Sequence, residues 1–164
     1  MTSRAAAPAP HPALPTPGLE HVFDVSVALG AIEDHGRTRA GHRRIIPILG
    51  GSITGEVNAE ILPGGADWQI VRADGSIEID GRYSARTDAG ELLYLQATGV
   101  RSGEPHVLES LLAGEPVDPS EYYFRTLVTI ETSAPALAHL ERSLHLAVAA
   151  RTADSVRYAT YRFV

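Results

Sequence analysis

The chain has 164 residues, 44% of them apolar and 6% aromatic, no cysteine and a formal net charge of −6. That length suits one domain with a hydrophobic core, and the lack of cysteine excludes a disulfide framework, thiolate catalysis and cysteine-bound metal. The acidic balance speaks against nucleic acid, and no apolar run is long enough to span a membrane, so a soluble cytoplasmic protein is expected.

Residues 1–18 are rich in alanine and proline, with prolines at 8, 10, 12, 15 and 17. Proline denies a helix its hydrogen bonds, so a flexible arm is predicted, followed by one domain over 19–164. From Leu19 the pattern turns to period two, with Leu19, His21, Phe23, Val25, Val27 and Leu29 on one face of a half-buried strand. Asp34-His35-Gly36 predicts a turn, the basic run Arg37 to Arg44 a solvated hairpin, and Arg44 to Leu49 a short strand stopped at Gly50-Gly51. Ser52 to Leu62 reads as a strand bent at Gly55. Leu62-Pro63-Gly64-Gly65-Ala66-Asp67-Trp68-Gln69 is a double-glycine turn that delivers a carboxylate, the only tryptophan and an amide into the strand Asp67 to Arg72.

More strand signals follow at Ile77 to Ile79, Tyr83 to Thr87, Leu92 to Thr98 and Tyr122 to Thr132, separated by the turns Asp74-Gly75 and Asp88-Ala89-Gly90. Val107 to Ala113 fits one or two helical turns. Pro135 to His145 is the clearest helix, with Leu137, Leu140 and Leu144 sharing a face, although His145 to Ala150 reads equally as strand. Tyr158 to Val164 closes the chain as a strand. The expected fold is all-β, an antiparallel barrel with a central cavity and one or two short helices; a two-sheet sandwich is its rival.

Alternation groups Glu78, Asp80 and Arg82 on one face, and Tyr123, Arg125, Leu127, Thr129 and Glu131 on another. Facing inward, these rows make a polar cavity in which a guanidinium grips a carboxylate through paired hydrogen bonds. Facing outward, they are cross-strand ion pairs. Asp67 and Trp68 share a pocket only if the turn or a bulge rotates them; pairing Asp67 with Gln69 is simpler. A partly desolvated Asp67 would have a raised pKa and could carry protons at neutral pH. Tyr83, Tyr94, Tyr122 and Tyr123 lie in or beside strands, and tyrosines, arginines and one indole together suit a small planar acid.

Seven histidines show no metal-binding spacing, so no metal is expected. Gly50-Gly51-Ser52-Ile53-Thr54-Gly55 lacks the lysine of a nucleotide loop, and Ser52 and Ser110 lack a nucleophile setting. No organic cofactor is expected.

Six segments complete a pattern. Arg44-Ile45-Ile46-Pro47-Ile48-Leu49-Gly50-Gly51 and the Pro63-Gly64-Gly65-Ala66-Asp67-Trp68 element are followed by Asp80-Gly81-Arg82-Tyr83, Gly99-Val100-Arg101, Tyr122-Tyr123-Phe124-Arg125-Thr126 and Glu131-Thr132. In this order they resemble the DUF3237 group, also called UPF0311, over residues 19–164. The resemblance implies a lipocalin-like β-barrel with a central cavity, often assembled as an oligomer. Most members of the group have no assigned function. One branch resembles hydroxylaminobenzoate lyases, which convert an aryl hydroxylamine carboxylate to a dihydroxybenzoate with loss of ammonia and without an evident organic cofactor.

Asp67, Trp68, Arg82 and Arg125 match the group's motif positions. Gly55 to Glu60 lacks the group's Gly-Pro pattern, and Thr87-Asp88-Ala89-Gly90 replaces its Asp-Asp-Gly turn, which implies a reshaped pocket rim. The expectation is a cofactor-independent lyase, cyclase or isomerase working on a small aromatic or polycyclic acid or phenol by acid–base chemistry. Asp67, Arg82 and Arg125 are its candidate catalytic residues, and Trp68, Gln69, Tyr83, Tyr94, Tyr123 and Glu131 its candidate substrate contacts. The alternative is a protein that binds a small molecule without chemistry.

Overall fold

Ten strands form one antiparallel sheet that closes on itself in the computed structural model, which describes residues 13–164. They are β1 (Leu19–Leu29), β2 (Glu33–Thr38), β3 (Gly41–Gly55), β4 (Ala59–Ile61), β5 (Ala66–Val71), β6 (Ile77–Thr87), β7 (Leu92–Gly103), β8 (Tyr122–Thr132), β9 (His145–Arg151) and β10 (Ser155–Phe163). The pairing runs β1-β10-β9-β8-β7-β6 and returns through β4 and β5 to β3, which pairs back onto β1. Because β4 and β5 succeed one another along a single stave and β2 only hairpins onto β3, the wall has eight staves. Closure satisfies the backbone groups that an open sheet would expose. A barrel, not the rival sandwich, is therefore the architecture.

The helical parts lie outside the wall, so the fold is not purely all-β. They are α1 (Pro105–Leu112) and two 3₁₀ segments, Pro119–Glu121 and Pro135–Arg142. The predicted Pro135 helix is thus a 3₁₀ turn that ends before the strand beginning at His145. Only Leu140 of its three leucines is fully buried, and Leu144 is exposed. The turn foreseen at Asp34-His35-Gly36 lies inside β2 as a register shift, and β3 runs through Gly50-Gly51 without stopping. The proposed arm falls outside the described residues over 1–12; residues 13–18 have no regular structure. Among the described residues no helix is long and apolar enough to cross a membrane.

Side chains alternate strictly along most staves, which sorts them into inside and outside. On β6 the sequence IEIDGRYSART buries every other residue from Ile77 to Thr87. One half of the interior is apolar, filled by Phe23, Ile53, Ile61, Leu93, Leu95 and Leu140, each 2% exposed or less. The other half is polar: Arg44, Gln69 and Arg101 point inward there, and α1 packs Val107 and Leu111 nearby. The closing contact needs glycine at Gly51, where φ is +142° and a β-carbon would stand 2.0 Å from the Ser26 carbonyl oxygen.

Candidate functional site

Asp67 sits inside the barrel because β5 alternates without a bulge. Its register with β3 is continuous from His42–Val71 to Pro47–Ala66, so Asp67 and Gln69 share the inner face while Trp68 lies on the outer one. The Gly64-Gly65 turn sets where that alternation begins. Gly64 has φ +105°, and a β-carbon on Gly65 would fall 2.4 Å from the Arg82 carbonyl oxygen, so the turn lies tight on β6.

The Asp67 carboxylate accepts from neutral donors. Gln69 Nε2 donates to its Oδ2 at 2.7 Å, and the Asp80 backbone N–H donates to its Oδ1 at 3.1 Å. Gln69 Oε1 in turn accepts from Arg44 Nη2 at 3.3 Å, which fixes the amide's orientation. Arg101 and Arg151 act on Asp67 only through space. Burial pushes the carboxyl above its ordinary pKa, against the two hydrogen bonds and the two arginines. Asp67 is part-buried and lines a void inside the barrel.

That void is small, about 40 Å³, and is lined by Asp67, Gly81, Tyr83, Phe124, Thr126 and Tyr158 among others. It has room for about one water molecule, whose share of liquid volume is roughly 30 Å³. The expected central cavity is present, but as it stands no aromatic ring fits it. Opposite Asp67, the buried Tyr83 and Tyr158 hydroxyls are hydrogen-bonded to each other. Both phenols are held above their ordinary pKa by burial and stay neutral.

Above this void the barrel end carries three inward arginines. Arg151 donates to the carbonyls of Thr152 and Ala153, at 2.7 and 3.5 Å, and Arg44 donates to Gln69. Arg101, 5% exposed, lies 5.7 Å over the Phe124 ring and has no hydrogen-bond acceptor among the described residues. Burial and the neighbouring Arg151 and Arg44 lower its pKa to about 10, which leaves it protonated at neutral pH. Asp67 acts through space on all three guanidinium groups.

The remaining sequence candidates lie outside the barrel. Trp68, Arg82 and Tyr94 border an outer groove with Pro63, Gly64 and Gly65. Arg82 stands 5.8 Å from the Trp68 ring centre, and its guanidinium is paired with Asp80, whose carboxyl it holds below the usual range. Tyr123 and Glu131 are exposed on the outer face of β8, and Arg125 leans over Tyr123 with its Nη1 donating to the Phe124 carbonyl. The inward-facing arrangement considered for the Arg82 and Arg125 rows is therefore corrected. Gly81 and Phe124, their neighbours on the same strands, take the inner positions, and period two sends the arginines out. The sequence reading missed Arg44, Arg101 and Arg151; an arginine in phase with the buried residues of its own strand was the signal that marked them.

Among the described residues no cluster of histidine, aspartate and glutamate could hold a metal ion. A family model described as a protein of unknown function, DUF3237, matches residues 17–163. A UPF0311 protein of Rhodopseudomonas palustris strain TIE-1 is 42% identical over 144 residues, spanning 86% of this chain and 94% of its own length. The crystal structure of a conserved protein of unknown function from Rhodopseudomonas palustris superposes with a TM-score of 0.87 at 38% identity, covering 93% of this chain and all of that one. An enzyme from Penicillium herquei shares the fold at a TM-score of 0.66 and 17% identity, over 92% of this chain and 99% of its own.

Proposed function

This chain belongs to the DUF3237 family, and from that premise we propose that it is a cytoplasmic, cofactor-independent enzyme acting on small aromatic or polycyclic acids or phenols by acid–base chemistry. The observation that carries the reading is Asp67, a carboxylate raised in pKa, bound only by neutral donors and facing an internal void. A group so placed is suited to take and return a proton near neutral pH. Gln69, locked by Arg44, positions it, and Tyr83 with Tyr158 forms a neutral wall opposite. That the barrel also serves as the fold of a fungal enzyme agrees with a catalytic use.

The reaction class is a lyase, cyclase or isomerase step. For an aryl hydroxylamine carboxylate, Asp67 protonates the N-hydroxyl oxygen, which leaves as water; one water adds to the electron-poor ring beside the nitrogen and returns a proton to Asp67, and a second water adds at the carbon bearing nitrogen and expels it as ammonia. Overall one water is taken up and ammonia is released as the dihydroxybenzoate forms. Leu29 and Val156, part-buried side chains that line the void, would have to move for a ring to reach Asp67. Capture without turnover is the second reading, favoured by an arginine that lacks an acceptor whether or not any proton moves. If the protein assembles as a homo-oligomer, the outer wall of β7 to β9 offers the apolar contact, with Val100, Leu127 and Val148 exposed there.

Incubation with 4-hydroxylaminobenzoate and a panel of polycyclic phenols, followed by mass spectrometry, tests the proposal. Turnover is expected, and Asp67→Asn should reduce it by at least about 10²-fold, the ordinary worth of a positioned acid or base. Full activity in that variant would sink Asp67 as the proton carrier.

A further inference from the structure

Beneath α1 a second pocket, of about 490 Å³, opens at the polar end of the barrel. It is separate from the void at Asp67 and has a distinct make-up. Arg44 and Arg101 lie at its base, 6% and 5% exposed, and the Nε of each is buried with no acceptor among the described residues. Apolar side chains, Val71, Ile77, Leu108 and Leu112, form its walls. Asp74 and Glu109 also border it, yet neither accepts a hydrogen bond from either arginine.

A buried guanidinium without an acceptor costs free energy that folding alone does not repay. In a protein of net charge −6, Arg101, which lacks an acceptor among the described residues, and Arg44, held by the neutral Gln69 amide, converge on one pocket and make sense as half of an ion pair whose other half comes from outside. The planar fork of arginine matches a carboxylate through parallel N–H donors, and the apolar walls match a hydrocarbon or aromatic body. The volume lies in the range of small-molecule sites. We propose that this pocket binds a small organic acid, its carboxylate held between Arg44 and Arg101 and its apolar body against Leu108 and Leu112 of α1.

Binding here does not require Asp67 to transfer a proton. The two sites communicate through Gln69, which accepts from Arg44 and donates to Asp67, so an acid drawing Arg44 toward itself loosens the amide that positions the carboxylate. The acid is thus either a substrate anchored by its carboxylate or a ligand that tunes Asp67 from outside.

Calorimetric titration and thermal melting with benzoate, benzamide and inorganic phosphate provide the test. Benzoate is expected to bind saturably and raise Tm, benzamide at least tenfold more weakly because it lacks the charge, and phosphate more weakly because it lacks the ring. Arg101→Met should lose benzoate binding by tenfold or more while melting no lower than the parent, since it removes an unpaired buried charge. Arg101→Lys, which keeps the charge, should recover part of it, and Arg86→Met, on the exposed face of β6, should bind as the parent does. Asp67→Asn should still bind benzoate, so failure of the catalytic proposal leaves this site standing. Equal binding of benzoate and benzamide, phosphate binding as tight as benzoate, or parental affinity in Arg101→Met would each overturn it.

Discussion

At Asp67 the side chain's neighbours decide its chemistry. A carboxylate clamped by arginine would be a permanent anion, whereas the Gln69 amide and the Asp80 N–H leave it raised in pKa and able to cycle. The two phenols across the void show the opposite principle, a polar pair closed on itself. Tyr83→Phe strips the Tyr158 hydroxyl of its one partner among the described residues and should cost about 1–3 kcal/mol, whereas Tyr83→Phe with Tyr158→Phe should fall well short of the sum of the two single changes. Chemical denaturation of the three variants measures that coupling. A strictly additive result would mean that the hydroxyl contact contributes nothing.

Alternation within each strand explains what could be read without coordinates. Tyr122–Thr132 was legible in full because its β-branched and aromatic run is bounded by turn residues, and β6 was legible as two pieces because Gly81 interrupts it. The barrel class followed from the number of strands, but which face pointed inward did not, since both faces of β6 and β8 carry polar residues. Arg82 and Arg125 consequently stood out on sequence for the wrong face, and Asp67 with Gln69 for the right one. The buried arginines were harder to see because the groups around Arg101, Phe124 of β8, Arg44 of β3 and Arg151 of β9, are distant in sequence. Closure between β1 and β3 depends on the backbone approach at Gly51. Gly51→Ala forces a β-carbon to within 2.0 Å of the Ser26 carbonyl at a φ of +142°, and a loss of at least about 1–3 kcal/mol is expected in denaturant titration.

Across the whole molecule, the apolar end of the barrel carries a buried imidazole that resists protonation. His145, 1% exposed, has both ring nitrogens without partners among the described residues, and burial together with Arg162 and His139 lowers its pKa against the pull of Glu56. A depressed histidine contributes its full share of stability above the ordinary histidine pKa and loses it as pH falls, because the unfolded chain then takes a proton that the folded one refuses. Melting temperature should therefore drop from pH 8 to pH 5, and His145→Leu should flatten that slope and gain about 1 kcal/mol at acid pH by removing the unpartnered nitrogens. An unchanged slope in the variant would assign the acid sensitivity elsewhere. The closed wall has one more consequence, for behaviour in crowded solution. Among the described residues β2 alone has a neighbour on one side only, so it is the single place where a foreign strand could add to the sheet. Its sequence, Glu-Asp-His-Gly-Arg-Thr, places charge at Glu33, Asp34 and Arg37 and a register shift at Gly36, which makes that rim a poor template for fibril growth.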